Sequence, residues 1–204
     1  MGKCTGTITL KHITSLMAGH PFRGSIENTP GGAVAVVQMR DVDPKKGIDH
    51  SNLIRVNVTG RKQPDYLKRG DILFMGRGYR LFAVLVDQDL EHTVAGSHFF
   101  ILRIKPNKHA VSADYLTWYI NHNRAQKYFS RHVAGTALPH VNRRTLEHLP
   151  VVLPPLAVQA QIMQAYRCSM KEKALLAALI QKKTQFLDKV LDQTLAHYIE
   201  KENA

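Results

Sequence analysis

Cysteine is scarce, acidic residues are outnumbered and no long apolar run occurs, and each shortage removes a class of protein. Only Cys4 and Cys168 are present, far apart and without a CxxC partner, so neither a disulfide framework nor a zinc knuckle is indicated. No stretch approaches the roughly 18–20 continuous apolar residues of a membrane span, and residues 1–10 lack the apolar core of a secretory signal. A cytoplasmic protein without a membrane partner is expected. Its 204 residues, 44% of them hydrophobic, suffice for one domain plus a smaller element by the usual prior of about 100–200 residues per domain, which argues against disorder.

What is abundant is positive charge. Twenty-eight Lys and Arg against 16 Asp and Glu give a formal net charge of +12 and a pI near 9.9, which favours a polyanionic partner. Most of the excess lies before Pro154. The clusters are Lys45-Lys46, Arg61-Lys62, Lys68-Arg69, Arg77 with Arg80, and Arg143-Arg144, mostly beside glycine, proline or aspartate and hence in loops. The competing explanation is a basic surface that serves only solubility.

Residues 7–10, 32–38, 53–58, 72–75, 80–86 and 98–104 are short runs rich in Val, Ile, Leu and Phe, separated by turn signals such as Pro30-Gly31-Gly32, Gly70-Asp71 and Gly76-Arg77-Gly78. They predict a mainly β body. Several runs are apolar throughout, so the pattern leaves register and strand order open. Ser112 offers an N-cap for a helix over 113–129, in which Tyr115, Leu116, Tyr119, Ile120 and Phe129 recur at helical spacing. A loop at Gly135-Thr136-Ala137-Leu138-Pro139 and a short strand at 149–153 follow.

After Pro154-Pro155 there is no proline or glycine through residue 200. An unbroken helix there would have about 45 residues and span about 68 Å. Leu176, Ile180, Leu187, Leu191, Leu195 and Tyr198 form one stripe, and Leu175, Leu179, Phe186 and Val190 a neighbouring one. So wide an apolar face needs a second helix, most simply that of another copy. The alternative is a helical hairpin broken near 169–173.

Enzymatic motifs are wanting. Gly76-Arg77-Gly78 begins like a dinucleotide fingerprint, but Leu81 stands where its third glycine belongs, and no Walker pattern occurs. Asp43-Pro44-Lys45 lacks an acidic partner that would complete a nuclease metal site, and reads better as a turn. The eleven histidines are scattered without HExxH, and Gly96-Ser97-His98 is no nucleophile elbow. No catalytic residue, metal or cofactor is therefore assigned. DNA reading needs other groups: arginine can grip guanine, Asn or Gln adenine, and Lys/Arg neutralise phosphates. Gln38-Met39-Arg40-Asp41 at a strand end, Arg61-Lys62 in a turn, and Gly76-Arg77-Gly78-Tyr79-Arg80 between strands suit that work. The glycines around Arg77 would let the backbone approach a groove.

The run Gly70-Asp71-Ile72-Leu73-Phe74 with Gly76-Arg77-Gly78, Tyr115-Leu116 opening a helix, Gly135-Thr136-Ala137-Leu138-Pro139, and above all Leu149-Pro150-Val151-Val152-Leu153-Pro154-Pro155-Leu156-Ala157 with Gln159 and Ile162 resemble the DNA specificity subunit of type I restriction-modification systems. The resemblance covers roughly residues 70–200, with a looser match at 38–42. It implies a target recognition domain followed by a spacer helix, double-stranded DNA as ligand, and methyltransferase and restriction/motor subunits as partners. Members of that family usually carry two such units, whereas this sequence holds one. A homodimer through the long helix is then expected, reading an inverted bipartite site whose spacing the helix sets.

The expectation is an α+β protein: a mixed, mainly β recognition domain over 1–153 and a dimerising helix over 154–204. Base readout falls to Arg40, Arg61, Lys62, Arg77, Arg80, His140, Asn142 and Arg143, and phosphate contact to Lys45, Lys46, Lys68 and Arg144. The dimer interface falls to Leu176, Ile180, Leu187, Leu191 and Leu195. A stand-alone DNA-binding regulator and a helix-mediated assembly protein are the alternatives.

Overall fold

Ile72–Met75 is apolar at every position because it is a central strand buried on both faces, the circumstance in which alternation disappears. The computed structural model describes residues 6–22, 24–58, 64–78, 80–106, 110–132 and 140–202. In chain order the elements are β1 (Thr7–Thr9), α1 (Leu10–Ile13), β2 (Thr14–Ala18), β3 (Val34–Val37), a 3-10 turn (Met39–Asp41), β4 (Val42–Asp43), β5 (Gly47–Ile48), β6 (Ile54–Val56), β7 (Ile72–Met75), β8 (Phe82–Leu85), β9 (Thr93–Ala95), β10 (Phe99–Ile104), α2 (Ala113–Asn121), α3 (Asn123–His132), α4 (Arg143–Glu147), β11 (Pro150–Val152) and α5 (Leu156–Glu202). The chain divides into two compact units, Met1–Ala160 and Gln161–Ala204.

The first unit is built on an antiparallel sheet of order β2-β10-β7-β8, with Phe99 opposite Met75, Phe100 opposite Ala18, and Met75 opposite Phe82. A three-stranded sheet of order β6-β3-β9 pairs β3 with β9 in parallel and with β6 antiparallel. Leu73, Met75, Val84, Phe99 and Ile101 share a core with Val37, Ala95, Ile48 and Leu67, while Phe74 meets Phe129 of α3 at 5.1 Å between ring centroids. The α+β expectation holds, including the long C-terminal helix. Strand β2 was not expected: Thr14-Ser15-Leu16-Met17-Ala18 has neither alternation nor a run of β-branched or aromatic residues, and is a strand because β10 offers it a paired edge.

The single helix expected over 113–129 is two. His122 is extended between α2 and α3, which lets Ala125 and Phe129 be buried while Asn121 turns to β8. There Asn121 Oδ1 accepts from the Ala83 N–H and its Nδ2 donates to the Ala83 carbonyl, both at 2.8 Å. The amide occupies the open edge of β8 as a further strand would, and so closes an edge that could template aggregation. Asn121→Leu is expected to lower stability by about 1–3 kcal/mol, read from urea unfolding, because two groups of the buried Ala83 lose their partners. An unchanged midpoint would mean that water replaces the amide.

The linker into α5 is held by side chains of α2. Tyr115 donates to the Val152 carbonyl at 2.7 Å and Tyr119 to the Pro150 carbonyl at 3.0 Å. Burial pushes the Tyr115 phenol up to about 12, so it remains a donor at any ordinary pH. Gln159 is fully buried: its Oε1 accepts from the Ser112 N–H, and its Nε2 donates to the carbonyls of Ala110 and Pro154. This explains why a glutamine sits in the first turns of α5, where an apolar side chain would leave three backbone groups unpaired.

Helix α5 runs unbroken for 47 residues, about 70 Å of axis, so the hairpin alternative with a break near 169–173 does not occur. In the second unit, Leu176, Ile180, Leu187, Leu191 and Leu195 are 52–66% exposed. Among the described residues every exposed large hydrophobic side chain except Met39 lies on α5. No described helix is long and apolar enough to cross a membrane.

Candidate nucleic-acid interface

Strand direction gathers several basic residues at one end of the four-stranded sheet. β2 and β7 finish there, and β8 and β10 begin there. The segments meeting at that end are Gly19-His20 after β2, Gly76-Arg77 after β7, Arg80-Leu81 before β8, and Ser97-His98 before β10. His20 bridges Gly96, and Arg77 bridges His140. β3 ends beside them, since the Gly96 N–H donates to the Val37 carbonyl at 2.9 Å, and this carries Gln38, Met39 and Arg40 to the same region.

Arg77 and Arg80 are exposed and have no ion pair among the described residues. Internal geometry alone already calls for the glycines beside Arg77. A Cβ at Gly76 would stand 3.0 Å from the Phe100 ring and 3.3 Å from the Val141 carbonyl, and Gly78 has φ +118°, a conformation that disfavours any side chain. Arg40 is 61% exposed and lies 3.6 Å from Asp41. It lines a cavity of about 340 Å³ with Phe22, Gln38, Met39, Ser97 and His98.

The remaining expected residues are distributed differently. The His140 backbone is fixed beside Arg77, and Asn142 is the N-cap of α4, its oxygen accepting from the Thr145 N–H at 2.8 Å. Arg143 donates to Glu147 at 2.8 Å and to the Leu16 carbonyl at 2.9 Å, so its guanidinium ties α4 to β2. Arg144 is exposed and outside any ion pair among the described residues. Lys45 and Lys46 sit on the turn between β4 and β5, where their N–H groups donate to Asp43 at 2.8 and 2.9 Å and hold its carboxyl below the usual range. Asp43-Pro44-Lys45 is thus a turn, as its sequence indicated. Lys68 lies at the opposite end of the four-stranded sheet from Arg77, beside Asp71, just before β7. Arg61, Lys62 and the 135–139 loop fall outside the described residues.

Two groups escaped the sequence reading. Ser97 and His98 read from sequence as the start of a strand and as no nucleophile motif, and nothing local reveals that β9 and β10 deliver them beside β3 and β7. Arg124, Lys127 and Arg131 recur along α3 and line a second cavity, of about 400 Å³, with Tyr128 and His132. Their i, i+3, i+7 spacing is a signal present in the sequence, on the face of the helix opposite the apolar positions Ala125 and Phe129 that its periodicity picks out. Among the described residues no cluster of His, Cys, Asp and Glu is arranged to hold a metal.

The sequence profile of the type I restriction modification DNA specificity domain matches residues 24–167. The chain belongs to that family. The match extends further toward the N-terminus than the motifs alone suggested and includes Gln38, Arg40, Arg77, Arg80 and His98, while β2 and the Gly19-His20 segment precede it. No curated protein matches the chain. The specificity-family fold is shared with the type I S subunit from M. genitalium, at 15% identity and TM-score 0.55, over 86% of this chain and 41% of that one. The HsdS subunit from Thermoanaerobacter tengcongensis is 18% identical with TM-score 0.63, over 89% of this chain and 47% of that one. A structure concerned with complex assembly and conformational transition of the type I R-M system gives 20% identity, TM-score 0.61 and the same two coverages. This chain therefore spans less than half the length of the solved chains it resembles.

Proposed function

We propose that the chain is a noncatalytic, sequence-specific recognition subunit of a type I restriction-modification system, with 1–153 as recognition domain and 154–204 as spacer and dimerisation helix. The observation that carries this reading is the convergence of Arg40, Arg77, Arg80 and His98 at one end of a rigid sheet, in a chain of the DNA specificity family. Exposed arginines on a fixed framework can grip guanine edges bidentately, and the exposed lysines of the first unit can neutralise phosphates. The α5 stripe then joins two copies, and two-fold symmetry makes the site an inverted repeat whose gap follows from helix length. Such a dimer would direct methyltransferase and restriction subunits to that site in the cytoplasm.

The test is selection of bound sequences from a random double-stranded DNA pool at fixed salt, with and without a co-expressed methyltransferase subunit. Salt must be fixed because phosphate contacts make affinity depend on it steeply. An inverted, gapped motif, together with recovery of the methyltransferase on the tagged chain, supports the reading. A motif without methyltransferase recovery favours a stand-alone regulator, and no motif in either condition favours an assembly protein.

Arg77→Ala is expected to weaken cognate binding by about 1–3 kcal/mol and to relax selectivity at one base position. Fluorescence anisotropy on cognate and scrambled duplexes measures this. An equal loss on both would reassign Arg77 to phosphate contact.

A further inference from the structure

Asn121, Gln159 and Gln38 place amide side chains at structural junctions of the first unit, and only the first two have both amide ends paired. Asn121 uses oxygen and nitrogen on Ala83; Gln159 uses both on Ser112, Ala110 and Pro154. The Nε2 of Gln38 is withdrawn from solvent, yet has no acceptor among the described residues. A buried donor without a partner costs free energy; the capping box that Gln38 forms with Asp41 at the 3-10 turn engages the oxygen end of the amide and leaves Nε2 unspent.

The backbone beneath Gln38 is fixed. Its N–H donates to Asp41 Oδ2 at 2.8 Å, and its carbonyl accepts from the Asp41 N–H at 3.1 Å. The side chain borders the cavity of about 340 Å³ shared with Phe22, Met39, Arg40 and His98. A backbone held by Asp41, an adjoining cavity and an unspent donor thus coincide at the end of the sheet where the exposed arginines converge.

We propose that Gln38 is a specificity-determining residue that reads an adenine in the recognised duplex; this rests on the DNA-reading function above. An amide presents an acceptor and a donor side by side, and the major-groove edge of adenine presents the matching N6 donor and N7 acceptor. Guanine offers two acceptors there and would set its O6 against Oε1. Because Nε2 gives up no hydrogen bond on leaving its resting place, pairing with N7 is gained without an offsetting loss at that atom. Met39, 42% exposed, follows in sequence and supplies an apolar surface for the methyl group of the paired thymine.

The experiment compares DNA selections by the full chain, co-expressed with its methyltransferase subunit, for wild type, Gln38→Met and Gln38→Glu. Wild type is expected to fix an adenine at one position of each half-site. Gln38→Met keeps the side chain's shape, and should lose preference at that position alone with a cognate affinity loss of roughly 5- to 150-fold. Gln38→Glu, an acceptor only, should shift the preference there toward cytosine. Replacing that adenine by 7-deazaadenine, which lacks the N7 acceptor, should weaken wild type and leave Gln38→Met unaffected. Gln38→Met decides alone if Gln38→Glu fails to fold. A motif that survives Gln38→Met intact, or a loss spread evenly over all positions, overturns the role of Gln38 and leaves DNA recognition standing. A wild-type chain that selects no motif overturns recognition itself, and this proposal with it.

Discussion

Replacing Leu187 and Leu191 together by aspartate is expected to convert a dimer of the chain into a monomer, halving the mass read by multi-angle light scattering. The two side chains are one helical turn apart on the same stripe, 55% and 52% exposed. In a helix pair they would be knobs at the seam, where burial of each leucine contributes roughly 1.5–3 kcal/mol. The double variant removes that contribution and places two carboxylates in an apolar interface, where an unpaired charge is far more costly than a missing methyl group. Loss of the helix does not explain such a result, since aspartate costs no more than about 0.7 kcal/mol per residue in intrinsic propensity, and far-UV circular dichroism checks that helicity is kept. Binding to DNA with two half-sites should fall more than binding to one, because the second contact ceases to be intramolecular. An unchanged mass would show that the α5 stripe is not the dimer seam.

Arg103→Met is expected to destabilise the first unit by about 3 kcal/mol, read as a lowered urea midpoint. Arg103 donates to both oxygens of Asp71, at 2.8 and 2.7 Å, and to the Tyr66 carbonyl at 3.0 Å. The Asp71 side chain is only 2% exposed against 29% for Arg103, so truncating the arginine strands a buried carboxylate. Breaking a buried pair from one side costs about 3–5 kcal/mol, and the solvent access of Arg103 favours the lower end. Adding Asp71→Asn should recover part of the loss, because the charge that lacked a partner is gone while the amide oxygen can still accept from the Lys68 N–H, now bonded to Asp71 at 2.8 Å. No recovery would mean that Arg103 acts through packing of its stem rather than through charge. The hydrogen bonds that Arg103 donates to Asp71 also hold its guanidinium firmly in the charged form.

Much of the fold was legible because its signals are local. Val34–Val37, Ile72–Met75 and Phe99–Ile104 are concentrated apolar runs between turn residues, and Ser112 caps α2 through the Tyr115 N–H as its position indicated. The break at His122 was not legible, since neither proline nor glycine marks it. It follows from where Asn121 finds an open strand edge and where Phe129 finds Phe74. β2 likewise depends on a partner 88 residues away, to which Ser15 also donates through its hydroxyl.

The candidate site divides along the same line. Arg77 and Arg80 could be singled out by their glycine-rich setting, but Asn142 and Arg143 looked equally suitable, and only the structure assigns one to a helix cap and the other to a link with Leu16 and Glu147. Lys68 and Arg77 are nine positions apart and stand at opposite ends of one sheet, because β7 lies between them.

By itself the sequence determined the excess of positive charge, the mainly β first part, the apolar stripes of the C-terminal segment and the family, all of which depend on composition, short-range periodicity or motif order; that this segment is one unbroken helix was decided by the structure. Tertiary structure decided which cations converge, which amides are already spent on backbone groups, and that Gln38 keeps a donor in reserve. These depend on strand pairings between distant segments, whose register a run of uniformly apolar residues does not encode.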